Sequence, residues 1–375
     1  MYEERTLNEP KITKFKEFFT PKNSSWLVFG FIILVGMVIR IFLWDFTSSD
    51  IFVWYDAAKL LMNGENPYTT TLESFQIEGG NHFYAYMPLW MYICSLILLI
   101  FPDGWFYLIV KILLIIFDLI VVGLLYYILK DKVENVWRLK LPIAIWFITP
   151  MIVMTSAMHG KFDSLMFIFV LAACIFHKKE NFILESVFLS LGILTKTIVL
   201  ILVPFFFLKN IRKKDFKTIA YKILLIIFPI LLFSIPFLYD PVVYFQGILG
   251  VHITRGHDLA PIFALLSWPF NSPTADRIIR IILTVIIVLV WLAIIILSYI
   301  KEIDIYSGIF YAFVAFNSLY WVFLIQYTAW IYTFYVVHTS KSKLRHWQLT
   351  SISSFIIILS TTLIGLMGLF IKNGL

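Results

Sequence analysis

The chain alternates long apolar runs with short polar intervals, and the runs are long enough to predict helices that cross a bilayer. A helical span needs about 20 apolar residues. On that scale the expected spans are 25–44, 87–101, 105–129, 141–157, 164–176, 184–208, 218–239, 278–300, two short ones within 305–338, and 348–371. They make a bundle of about ten or eleven helices. One interval breaks the rhythm. Between Asp45 and Trp90 six carboxylates (Asp45, Asp50, Asp56, Glu65, Glu73, Glu78) face a single lysine, Lys59. An acidic loop of that length, pinned at both ends by the membrane, is expected to be a working surface. Within it Ile51, Trp54, Tyr55, Ala58, Leu61 and Met62 recur at helical spacing, with Asp56, Lys59 and Asn63 opposite. That pattern predicts an amphipathic helix suited to lying along the membrane surface. Gly64 fits its stop and Asn66-Pro67 a turn.

Charge sets the expected orientation. The interval Lys209–Lys222 holds six Lys/Arg against Asp215 alone, which marks it as cytoplasmic, as does the basic run 341–346. The acidic loop is then outside. Simple alternation leaves two conflicts: basic Lys130–Lys140 falls outside, and residues 159–163 fall inside. Both ease if 87–101 or 164–176 does not cross fully. The expected organisation is one integral-membrane domain over 1–375, with a cytoplasmic tail (1–24), a first outer loop (45–86) and a later outer loop (240–262). Residues 1–24 are polar and of mixed charge, so no cleavable signal is expected there.

Composition agrees. Hydrophobic residues make up 61% and charged residues 14%, where soluble domains carry about a quarter charged. The net charge of +7 sits in short inter-span loops, so it does not point to nucleic acid. Cys94 and Cys174 both fall in apolar runs, which argues for core thiols rather than a disulfide.

Several polar residues invite a chemical reading. Asp50 precedes the amphipathic run, where a carboxylate caps a helix; the same carboxylate could take a proton from an attacking hydroxyl. His252, Arg255 and Asp258 recur every third residue, which is either a solvated loop or a phosphate site. Arg offers a planar fork of donors for phosphate oxygens, with His252 or His257 assisting. Charges inside spans cost about 2.5–3.5 kcal/mol each. Lys111 and Asp118, seven apart, fit a polar network that ties the bundle, and Lys196 fits either a structural or a phosphate role. His159 and Asp163 lie four apart but lack a third ligand, so a divalent metal is left without support. Gln326, Tyr327 and Trp330 suit an aromatic belt or sugar stacking.

The order of motifs adds a resemblance. Asp50, Asp56-Ala57-Ala58, Gly64, Pro67-Tyr68 and Tyr84-Ala85-Tyr86-Met87-Pro88 resemble the first outer loop of GT-C glycosyltransferases. Within that superfamily the likeness is to the catalytic subunit of GPI mannosyltransferase I and its prokaryotic relatives that use polyprenyl-phosphate mannose. Ser48 stands at the first Asp of the family's D-x-D and Ala85 at the Arg of Y-R-Y, which leaves Asp50 as the matching carboxylate. Downstream, Pro150 with 159–164, Lys196 before Pro204, His252-x-x-Arg255-x-x-Asp258, residues 313–317, and Gln326-Tyr327-x-x-Trp330 follow the family's later segments in order.

The resemblance implies an all-α polytopic membrane enzyme. It would move a hexose, mannose foremost, from a polyprenyl-phosphate donor to a hydroxyl of a lipid or glycan acceptor, with inversion. Asp50 is then the base. Arg255, His252, His257 and Lys196 are candidates for the donor phosphate. Asp56, Tyr84, Tyr86, His159, Asp163, Asp258, Gln326, Tyr327 and Trp330 are candidates for substrate contact. The implied setting is a prokaryotic plasma membrane with the site facing outside. The rival reading is a transporter or flippase of lipid-linked sugars, coupled through Lys111, Asp118 and Lys196.

Overall fold

The computed structural model describes residues 21–46, 49–76, 84–250, 272–320 and 324–339. Helices account for nearly all of it, in the order α1 Pro21–Phe42, α2 Ser49–Met62, α3 Pro67–Gln76, α4 Leu89–Ile100, α5 Phe106–Leu129, α6 Val136–Ile148 and α7 Pro150–Val153. Then come α8 Asp163–Lys178, α9 Phe182–Thr195, α10 Val203–Arg212, α11 Phe216–Ser234, α12 Pro241–Phe245, α13 Pro273–Ile300, α14 Ile305–Leu319 and α15 Ile325–Thr339. Among the described residues no strand is present. Four helical stretches are long and apolar enough to cross a membrane: Asn23–Phe42, Asp103–Leu129, Phe216–Phe237 and Thr274–Ile300. A fifth forms if α6 and the turn after it are one span bent by 46°. The chain is an all-α polytopic membrane protein. The expected last span, 348–371, lies outside the described residues.

Two expected spans are short or broken. Segment α4 holds 12 residues, about 18 Å of helix, well short of a hydrocarbon core of about 30 Å. Its two ends face one side of the bundle. Tyr84, just before it, sits with Trp54 of α2. Asp103, just after it, binds Lys59 of α2 at 2.7 Å and accepts from Tyr55 at 2.9 Å. So α4 packs along α2, with both of its flanks held there.

The run 184–208 is also not one span. It folds into two short arms with Lys196 at the apex, where the backbone is extended at φ −146 and ψ 128. Both arms return to the same end: Lys209, on the second arm, pairs with Glu180 before the first. Lys222 bridges the arms, donating to Glu185 at 2.7 Å and to Asn210 at 2.8 Å. The physical reason is the lysine itself. In a single span its ammonium would lie mid-membrane; at an apex it reaches a polar neighbour.

One end of the bundle gathers Lys132, Lys178, Lys209 and Arg212, and the loop 159–163 lies at the end that carries α2. The first end is consistently basic: Lys179 lies over the Tyr127 ring and Lys178 pairs with Asp304.

Buried charge ties the helices together. Arg40 of α1 binds Asp118 of α5 at 2.9 Å with both side chains fully buried. Ser156 donates to the same carboxylate at 2.7 Å, and Ser164 of α8 also donates to it. The network expected of Lys111 and Asp118 thus divides. Asp118 joins four segments, whereas Lys111 caps the carbonyls of Trp44 and Phe46 at the end of α1.

Candidate active site

Helix α2 forms as expected, with Asp50 in its first turn, where the helix dipole favours a carboxylate. Its apolar side turns into protein rather than onto the membrane surface. Ile51, Val53, Trp54, Ala57 and Ala58 are all buried. The reason is a close approach between α2 and the loop 159–163. Gly160 holds φ +64, and a Cβ there would stand 2.3 Å from Ile51 Cδ1. Only glycine fits. The indole of Trp54 donates to the Gly160 carbonyl at 3.0 Å.

That contact brings charge together. Lys161 lies 3.2 Å from Asp50, with side chains 14% and 30% exposed. Phe162 stacks on Trp90 and meets Trp54 and Tyr86 edge-on. Asp163, at the start of α8, receives Lys196 at 2.8 Å and the Trp330 indole at 2.6 Å on one oxygen. Rings of Tyr86, Phe162 and Trp330 surround the Lys196 ammonium at 5.1–5.7 Å, a cage that suits a cation. Asp50 and Lys161 are near enough for their charges to act at Lys196.

A cavity of about 370 Å³ opens beside this cluster. Tyr86, Lys196, Gln326, Tyr327 and Trp330 line its polar part, and Ile198, Leu200, Ile201, Phe316 and Leu324 its apolar part. Five candidates from three distant stretches thus share one wall. A polar head with an apolar tract suits a lipid-linked ligand.

The remaining candidates fall elsewhere. Asp56 is exposed and lines a separate groove of about 480 Å³ with Lys59, Asn63, Thr70 and Ser74. Tyr84 spends its hydroxyl on the backbone, donating to Met87 O at 2.9 Å and accepting from Met91 N–H at 3.0 Å. Its raised pKa follows from burial. His159 closes the turn after α7 through its backbone N–H and sits near Asp50 and Lys161. Burial, then the Lys161 charge, lowers its pKa from the usual histidine value. Lys161 and Phe162 lie inside the motif at 159–164 but were not among the candidates; the signal available was the glycine before them. Among the described residues no three His, Cys, Asp or Glu side chains converge as a metal site. His252, Arg255, His257 and Asp258 lie outside the described residues, although Leu249, just before them in sequence, lines the 370 Å³ cavity.

Comparison with known proteins gives the family. Residues 85–304, more than half of the chain, match the model of glycosyltransferase family 87. The chain is 28% identical over 151 residues to GPI mannosyltransferase 1 of Saccharomyces cerevisiae, covering 40% of this chain and 32% of that protein. It is 29% identical over 176 residues to GPI mannosyltransferase 1 of Dictyostelium discoideum, covering 43% and 36%. The matched stretches span about a third of these relatives' lengths.

Proposed function

The chain belongs to glycosyltransferase family 87, and from that premise we propose that it transfers a hexose, mannose foremost, from a polyprenyl-phosphate donor. The acceptor is a hydroxyl on a lipid or glycan. The observation that carries this reading is the cavity that joins Lys196, Tyr86 and Trp330 to an apolar tract. The tract takes the start of the prenyl tail, the polar corner by Lys196 takes the phosphate, and the rings take the sugar face. Arg255, with His252 or His257, is a further candidate for the phosphate; Asp258 remains a candidate for substrate contact.

Asp50 is the base. The acceptor oxygen bonds to the anomeric carbon as its proton passes to the Asp50 carboxylate. The bond from that carbon to the phosphate oxygen breaks, and its electron pair leaves on polyprenyl phosphate. Cations near that oxygen stabilise the charge that develops. A single displacement inverts the anomeric centre. The basic end, by the positive-inside tendency, faces the cytoplasm, so the site faces outward, across the plasma membrane of a prokaryote.

The transport reading has less support. Coupling would need intramembrane charges that can change partner, yet Asp118 is held by Arg40, Ser156 and Ser164. The test uses purified protein, labelled polyprenyl-phosphate mannose and glucose, and a panel of lipid and glycan acceptors. Transfer of mannose by the wild type, lost in Asp50→Asn with folding and donor binding intact, is the expected result. Undiminished transfer by Asp50→Asn sinks the base assignment.

A further inference from the structure

The Asp50–Lys161 pair poses a chemical problem for the base. An ammonium 3.2 Å from the carboxylate competes with an acceptor hydroxyl for the same oxygen lone pairs. Lys196 poses a complementary problem for the phosphate. Its ammonium is 2.8 Å from Asp163 in a buried pair, 5% and 1% exposed. That pair is neutral as a unit, so it supplies little net charge for an incoming anion. Lys161 is more accessible than Lys196, is close enough for its charge to act there, and has its own counter-ion at the partly exposed Asp50.

We propose that Lys161 is shared between Asp50 and the donor phosphate, so that donor binding draws Lys161 away and frees Asp50 for the acceptor hydroxyl. The inference rests on the donor class proposed above. A lysine is suited to the exchange, because its flexible stem and three donors let the ammonium swing between two anions. Before donor arrives, the pair keeps the base occupied and guards against premature attack. After donor arrives, phosphate and Lys161 form a charge-assisted contact, which strengthens as the leaving oxygen gains charge. Gly160 supports the device, since its tight contact with Ile51 sets the spacing between the neighbouring Lys161 and Asp50. Binding of donor before acceptor follows.

The test measures equilibrium binding of polyprenyl phosphate, which carries no transferable sugar, to the purified full chain in lipid nanodiscs. Asp50→Asn, which releases Lys161, is expected to bind it about tenfold more tightly than wild type, about 1.4 kcal/mol. Lys161→Gln is expected to bind about tenfold more weakly, and Lys161→Arg close to wild type. A thermal melt of each variant separates loss of binding from loss of fold, and Asp50→Asn carries the test if Lys161→Gln does not fold. Wild-type binding with Asp50→Asn no tighter overturns the exchange while leaving the donor class intact. No wild-type binding of polyprenyl phosphate overturns both.

Discussion

Lys196 Nζ lies 2.8 Å from Asp163 Oδ1, and the Trp330 indole donates to that same oxygen at 2.6 Å. The three residues come from the apex of the α9–α10 hairpin, the start of α8 and α15. Lys196 and Trp330 both line the cavity, so the carboxylate behind them fixes the wall they form.

Removing one partner of a buried pair leaves the other charge uncompensated, at a cost of about 3–5 kcal/mol. Lys196→Met is thus expected to lower the melting temperature sharply in detergent. The double variant Lys196→Met/Asp163→Met, with both charges gone, is expected to recover most of that loss. Neither is expected to transfer sugar at more than a small fraction of the wild-type rate. A stable, fully active double variant would show that the pair serves only the fold.

Gly160 yields a second prediction. Alanine there meets Ile51 Cδ1 at 2.3 Å and must also hold φ +64. Each problem costs on the order of 1–3 kcal/mol. Gly160→Ala is expected to lower stability and to reduce transfer further still, because the displaced loop carries Lys161 away from Asp50. Adding Ile51→Ala makes room but leaves the backbone strain, so recovery in the melt should be partial. Full recovery would mean that the φ requirement is unimportant.

The elements above were unequally legible in the sequence. Helix α2 was legible because apolar spacing over Ile51–Met62 records a helix whatever covers it, but the pattern does not say whether lipid or protein does. Tyr86, Lys196, Gln326, Tyr327 and Trp330 were legible as motifs in order, and the fold makes them one wall. The turn at Lys196 was not legible, because an apolar run of 25 residues satisfies the length rule for a single span. For α4 the sequence left 87–101 and 164–176 as equal alternatives for a segment that does not cross fully, because hydropathy does not say which face of a short helix meets protein. The partner of Asp118 was hidden too: Arg40 lies 78 positions away, and hydropathy carries no information on which buried charges meet.

Arg40 and Asp118 supply a third prediction. With both side chains at 0% exposure, Arg40→Leu strands a carboxylate among four helical segments. Yield of folded protein after membrane extraction is expected to collapse. Arg40→Lys keeps the charge but loses the fork that also reaches the Gly36 carbonyl at 3.1 Å, so an intermediate yield is expected. Arg40→Leu/Asp118→Asn should exceed Arg40→Leu alone, since Asn can still accept from Ser156 and Ser164. Size-exclusion profiles of the four proteins decide it. Equal yields would show that the network contributes nothing to the bundle.

His159 gives a dependence on pH whose sign follows from its surroundings. Burial, and then the Lys161 charge, pull its pKa below the usual histidine value, with Asp50 opposing. The folded protein therefore favours neutral imidazole, while the unfolded chain titrates near 6.5. As pH falls below about 6.5 the unfolded state takes up a proton that the folded state resists, so stability falls. The loss is complete once pH drops below the folded-state pKa, where both states are charged. Above about 7.5 the group contributes no slope. Melting temperatures between pH 8 and pH 5 should decline for wild type and decline less for His159→Gln, which cannot take up that proton. Parallel curves for the two proteins would remove His159 as the titrating group. The same protonation would put a second cation beside Lys161 and Asp50, so transfer should weaken over the same interval in wild type.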